Sequence, residues 1–316
     1  METVYRALLL ILLAIISAPP AQAQSRKEEN LCYVACQDKR IYVIDISRKK
    51  VLDVSDPIPE LGNPTCIDVS GDGKTLYIGS ERGYMESSYC PIVVVDLNTM
   101  KVKRKFYLEI EEPSGYISAV YNIRVSPDGS KLFVGYANPK YRGGSVVIDA
   151  DKGEILKHLK GFYVDQNSSF SKDGRYVCNI RPDEIIVYDV QSGRKLKRSL
   201  EYLLRLGQGL NPPWRQFKAP LCVIEKQKDC YILKAVNRLN GKLLWEKEIE
   251  KETGLLVSDR YPLVIHGRNG YKALISMMER GGKGYIVIVD LPSGDYEAFI
   301  PVGGYPVNAA SPQAIR

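Results

Sequence analysis

One phrase recurs along the chain and limits what it can fold into. Val69-Ser70-Gly71-Asp72-Gly73-Lys74-Thr75-Leu76-Tyr77-Ile78 returns as Val125-Ser126-Pro127-Asp128-Gly129-Ser130-Lys131-Leu132-Phe133-Val134, and again as Phe170-Ser171-Lys172-Asp173-Gly174-Arg175-Tyr176-Val177. Asp-Gly between alternating apolar runs is a hairpin signal, because glycine accepts the positive φ of a tight turn. A second phrase follows: an apolar strand ending in Asp, a turn, then a strand opening with basic residues. Its marks are Asp45, Asp96, Asp149, Asp189 and Asp290, with Asn237 a degenerate sixth, spaced 51, 53, 40, 48 and 53 residues apart. Gly153, Gly193, Gly241 and Gly294 each stand four residues after a mark. A strand–hairpin–strand–turn–strand unit of this length is a four-stranded blade, and a chain of such blades is a β-propeller.

The expected fold is therefore all-β: a single propeller of six blades, with seven left open because Leu200 to Pro220 and Leu255 to Tyr271 align poorly. The chain opens on what reads as the second strand of a unit, Leu31 to Gln37. It closes on what reads as a first strand without a successor, Gly303 to Pro312. Together they predict one blade shared by both termini, which removes the open sheet edges.

The phrases V-S-P-D-G-S-K-L-F-V-G and V-V-I-D-A-D-K-G-E-I resemble repeats of the YVTN-type β-propeller family, which groups with amine dehydrogenase heavy chains and lactonase-like propellers. Gly241-Lys242-Leu243-Leu244-Trp245-Glu246 is similar instead to the G-K-x-L-W-E of quinoprotein-type repeats. The resemblance implies the fold. Its members serve as binding scaffolds, lyases, lactonases and dehydrogenase subunits, so it does not imply one activity.

The N-terminus reads as a secretion signal. Arg6 precedes an apolar run, Ala7 to Ile16, and Ala21-Gln22-Ala23 is an A-x-A cleavage site. Residues 1–23 are the expected signal peptide and 24–316 the propeller, placed in the periplasm or secreted. No later run approaches the ~18 apolar residues of a spanning helix. The net charge of +7 is spread along the chain, densest at Arg48-Lys49-Lys50, Lys101 to Lys105 and Arg194 to Arg198. It reads as edge strands guarded by Lys and Arg, with no nucleic-acid partner. Seven cysteines in an exported chain lead one to expect some disulfides. Cys222 and Cys230, flanking Glu225-Lys226-Gln227, are the candidate pair across a hairpin. Cys32 and Cys36 share a strand face ~13 Å apart and cannot bond each other, which makes Cys66 or Cys90 the candidate partner for one of them.

No catalytic set emerges. C-x-x-C-H and C-x-x-C are absent, which excludes c-type haem attachment and argues against a thioredoxin-like site. His158 is expected on an outer strand and His266 near the channel, too far apart in sequence to suggest a metal cluster. Glu109, Glu111 and Glu112 read as a solvated run, and Gly281-Gly282-Lys283-Gly284 as a turn. Propeller ligands meet the loops that lead into the inner strands. The residues expected there are Asn63, Asn122, Asp165, Asn167, Asp259, Arg260, His266 and Asn308. Such carboxamides and carboxylates suit a polar ligand or a channel Ca²⁺, although no D-x-D-x-D-G loop is present. The expected function is a binding scaffold for a protein or peptide outside the cytoplasm. The alternative is an enzyme or enzyme subunit: a lactonase-like hydrolase with a channel metal, or an amine-dehydrogenase-like subunit.

Overall fold

In the computed structural model, six sheets follow one another around a ring. The residues it describes are 31–81, 90–110, 118–137, 143–160, 162–164, 168–170, 174–180, 185–197, 220–228, 230–237, 242–258, 262–267 and 270–310. The expected signal peptide lies outside them, as does most of Leu200 to Pro220. Blade 1 is ordered β24 (Pro306–Ala310), β1 (Leu31–Cys36), β2 (Ile41–Asp45), β3 (Lys50–Val54). Blade 2 runs β4 (Pro64–Val69), β5 (Thr75–Ser80), β6 (Cys90–Asp96), β7 (Lys101–Leu108). Blade 3 runs β8 (Ala119–Val125), β9 (Lys131–Ala137), β10 (Gly143–Asp149), β11 (Ile155–His158). Blade 4 runs β12 (Ser168–Phe170), β13 (Tyr176–Ile180), β14 (Ile185–Asp189), β15 (Arg194–Lys197).

Blade 5 shows three strands among the described residues: β16 (Leu221–Gln227), β17 (Cys230–Val236) and β18 (Leu243–Glu248). A five-residue helix, α1 (Ile249–Thr253), leads out of it. In blade 6, β19 (Leu256–Val257) and β20 (Leu263–Gly267) share one partner, β21 (Gly270–Met278), followed by β22 (Lys283–Asp290) and β23 (Tyr296–Gly304). The terminal strand closes the ring as the sequence predicts: Tyr33 and Val34 of β1 lie opposite Ala310 and Ala309 of β24.

The core lies between blades. In β6, every residue from Cys90 to Val95 is buried, and the period of two divides them. Ile92 and Val94 join Val120, Ile123 and Leu132 in the seam with blade 3, while Val93 and Val95 join Ile41 and Val43 in the seam with blade 1. Similar apolar seams join blades 3 and 4, 5 and 6, and 6 and 1. Middle strands thus read as unbroken apolar runs because both faces are covered.

The cysteine expectation is corrected. No two cysteines lie at disulfide distance, and all seven are thiols. β16 extends through Gln227, so Gln227 pairs with Cys230 next to the turn, whereas Cys222 lies opposite Ala235. The two sulfurs sit at opposite ends of the hairpin, about five rungs or ~17 Å apart, far beyond bonding range. Cys32, Cys36, Cys66 and Cys90 are core residues, and burial pushes the thiols of Cys32, Cys36 and Cys222 up.

Candidate binding face

The two ends of the ring differ. In blades 2 and 3 the first-to-second hairpin and the third-to-fourth turn fall at one end, and these are the motif-bearing turns. In blade 2, Ser70 Oγ donates to Asp72 Oδ1 at 2.6 Å and accepts from Thr75 N at 2.9 Å. Blade 3 repeats this with Ser126, Asp128 and Lys131 at 2.6 and 2.9 Å. Desolvation would raise Asp128, but hydrogen bonds from Ser126 and Ser130, with Lys131 nearby, hold it down at about 2. At the second phrase, the mark carboxylates accept backbone N–H groups two or three residues on: Asn98 for Asp96, Asp151 for Asp149, Gln191 for Asp189. Gly153, Gly193 and Gly294 then turn with φ of 76°, 71° and 78°. Lys49 and Met100 occupy the same place in blades 1 and 2 at φ of 53° and 55°. The degenerate mark behaves alike, Asn237 N donating to Lys242 O at 2.8 Å as Asp149 N does to Glu154 O at 2.9 Å.

This end also latches neighbours. Arg104, Lys157 and Trp245 each stand eight residues after a mark. Each donates to the carbonyl just after the next blade's mark: Arg104 to Ala150, Lys157 to Val190 at 2.9 Å, Trp245 to Leu291 at 2.7 Å. Two of the basic residues on outer strands, Arg104 and Lys157, are therefore structural ties. Between blades 6 and 1 the tie is ionic, Lys49 Nζ lying 3.4 Å from Glu297.

The other end carries the connections into the inner strands and between second and third strands, such as 37–40, 55–63 and 279–282. They share no motif. Asn63 is exposed there, and its carbonyl accepts Glu81 N at 2.9 Å. The inner strands β24, β4 and β8 are irregular at one shared level. Register slips between Pro64 and Cys66, between Val120 and Asn122, and opposite Ala35 between Pro306 and Ala309. Counted through these slips, Asn308, Cys66 and Asn122 occupy one repeat position in three consecutive blades. In blade 6 the slip is larger: five residues, 258–262, separate β19 from β20, against two on β21.

Hydroxyls at that level tie seams. Thr65 Oγ1 donates to Val120 O, and Ser258 Oγ to Pro306 O at 3.0 Å, the equivalent carbonyl of blade 1. Blade 3 departs from this. Its slip residue is Tyr121, 40 % exposed, beside half-buried Asn122. Gly135, opposite Asn122, lies so close to Val164 that a Cβ would sit 2.5 Å from the Val164 carbonyl. The adjoining Tyr163 is 53 % exposed, its carbonyl held by Asn179 Nδ2 at 3.0 Å. Tyr305, also exposed, turns the corner into β24 at φ 47°. A positive φ in a bulky residue is strained, here where the chain passes from the outer strand of blade 6 into the inner strand of blade 1.

Of the residues the sequence singled out, Asn63 sits at this end, and Asn122 and Asn308 sit at one level of the inner strands. His266 is in inner strand β20, opposite Tyr271, and His158 is on outer strand β11, exposed. Asp165, Asn167, Asp259 and Arg260 lie outside the described residues. Among the described residues, no three His, Cys, Asp or Glu side chains gather as a metal site would require. The Gly281–Gly284 stretch is the expected turn, Gly282 N donating to Glu279 O at 2.9 Å. Sequence reasoning missed Tyr121, Tyr163 and Tyr305. The chain's 21 tyrosines against 6 phenylalanines and 2 tryptophans are a signal of tyrosine use, but composition does not single out these three positions.

No protein-family model matches the chain, and no curated protein matches it. Solved structures do. TolB from Acinetobacter baumannii is 15 % identical with a TM-score of 0.51, over 89 % of this chain and 65 % of that one, so this chain spans just under two thirds of its length. The dihydro-haem d1 dehydrogenase NirN is 16 % identical with a TM-score of 0.46, over 94 % and 78 %. Kuenenia stuttgartiensis hydrazine synthase is 17 % identical with a TM-score of 0.42, over 77 % and 67 %. The TolB likeness supports the propeller fold, and at such identity it speaks to fold alone.

Proposed function

We propose that this chain is an exported, YVTN-type propeller that binds a protein or peptide partner through the loops at the channel mouth. The observation that carries the reading is the division of labour between the ends of the ring. At the turn end, motif side chains are engaged in capping turns and latching blades. At the loop end, Asn63, Tyr163 and Tyr305 are exposed around strands that bring Asn122 and Asn308 to one level. Tyrosine with carboxamides is recognition chemistry: wide rigid contact area, low ordering entropy, and hydrogen bonds of both senses. Asp165, Asn167, Asp259, Arg260 and His266 complete the proposed face by their sequence positions beside or within inner strands.

The A-x-A site after an apolar run supports export to the periplasm or beyond. No helix among the described residues is long and apolar enough to cross a membrane. The test is a pull-down from the native envelope fraction with the wild-type chain and with Asn63→Arg/Tyr163→Ala. The expected result is a stoichiometric partner on the wild type, lost on the folded variant. Reproducible failure of the wild type to retain a partner, or equal retention by the variant, sinks the reading.

A further inference from the structure

The ring closes through one residue. Between blades 1 and 2 the chain takes nine residues, 55–63, to pass from outer strand β3 to inner strand β4. Between blades 6 and 1 it passes from β23 to β24 through Tyr305 alone. The two passages end alike, Asn63 preceding Pro64 and Tyr305 preceding Pro306, each proline opening an inner strand. They differ in which residue carries the positive φ. In the longer passage it is Gly62, at 58°, and glycine adopts it without strain. In the shorter one it is Tyr305, at 47°. A bulky side chain disfavours that region, and a following proline pushes its predecessor to extended backbone. Lys39, Lys49, Met100 and Lys228, the other non-glycine residues with positive φ among those described, precede no proline. Each lies in a turn joining neighbouring strands of one blade.

Strand β24 is held by contacts that a second copy can supply unchanged. Ala309 and Ala310 lie opposite Val34 and Tyr33 of β1, and Pro306 O accepts from Ser258 Oγ at 3.0 Å. Its described buried residues are Pro306, Ala309 and Ala310. Lifting it therefore uncovers less apolar surface than lifting a strand such as β6, buried from Cys90 to Val95. We propose that two copies of this chain exchange β24, each strand closing blade 1 of the other ring, with Tyr305 as the hinge. Extending Tyr305 runs β23 on into β24 and carries β24 out of its own ring. Every contact of β24 is then re-formed between chains, so those contacts cancel between monomer and dimer. Relief at two Tyr305 hinges remains to offset the cost of joining two chains, which is why a short strained hinge favours exchange.

The test refolds the mature chain from urea at a series of concentrations and reads its mass by size-exclusion chromatography with light scattering. Wild type should form a dimer whose fraction rises with concentration. Tyr305→Gly removes the strain from the monomer and should weaken dimerisation on the order of tenfold or more. Met100→Gly relieves a like strain inside one blade, in monomer and dimer equally, and should leave dimerisation within about threefold. Exchange itself is read with Val34→Cys/Ala309→Cys, which places thiols on facing residues of β1 and β24. Isotope-labelled and unlabelled copies of that variant are refolded together and oxidised, and the linked peptides are read by mass spectrometry. The dimer should contain disulfides joining labelled to unlabelled peptides, and the monomer none. A wild type that stays monomeric at every concentration overturns the proposal. So does a dimer whose introduced disulfides all stay within one chain, or one that Tyr305→Gly weakens no more than Met100→Gly does.

Discussion

The turn end and the loop end of this ring are built from the same blades and use their polar residues differently. At the turn end, Ser126, Asp128 and Lys131 repeat what Ser70, Asp72 and Thr75 do one blade earlier, and the hydroxyl and carboxylate spend their lone pairs on backbone N–H groups. At the loop end, Asn63 is exposed and the tyrosines follow no repeat. Recurrence in this sequence therefore marks stability, and the proposed recognition face draws on residues that the repeat leaves over.

That contrast breaks if turn-end substitutions alter binding without destabilising the fold, or if loop-end substitutions unfold the ring. Gly153→Val should be the most damaging. It forces a β-branched residue to φ 76° and drives a Cβ to 2.8 Å from Phe106, costing about 3 kcal/mol or more in urea denaturation. Ser126→Ala should cost about 1–2 kcal/mol, because the serine is buried and Lys131 N loses its acceptor.

The pH dependence sharpens the same comparison. Asp128 is held at about 2 in the folded chain, below its ordinary value of 3.8. The stability it supplies is present above pH ~4 and is lost as pH falls towards 2. Asp128→Asn should flatten that acid limb of the thermal-melting profile and leave it unchanged near neutrality in shape. The smallest stability effect belongs to the loop end. Asn63→Ala or Tyr163→Ala should shift unfolding by no more than about 0.5 kcal/mol while lowering partner retention.

The legible part of the fold is the part made by short-range chemistry. Asp-Gly turns, mark carboxylates and αL glycines act within five residues of themselves, so blade number and ring closure could be read in the sequence. The latches could not. One structural position is filled by Arg104, Lys157 and Trp245, three side chains that share only an N–H donor, so no residue type recurs to reveal it. The cysteine pairing failed for a related reason. The position of the β16–β17 turn fixes which rung each cysteine occupies, and a short shift in that turn separates Cys222 from Cys230.

The proposed binding face was legible in part. From sequence, Asn122 and Asn308 are expected at the loops leading into inner strands, and register places them within β8 and β24, at one level. Tyr121 went unnoticed because its exposure comes from a one-residue slip against Gly135, a feature of pairing rather than composition.

Site-specific photocrosslinking separates the two ends of the ring by what each touches. Photoreactive residues placed singly at Asn63 and Tyr163 on the loop end, and at Ser130 on the turn end, would be activated in the native envelope fraction. A defined partner adduct is expected from Asn63 and Tyr163 and none from Ser130. An adduct from Ser130 of equal yield, or from Ser130 alone, would contradict it.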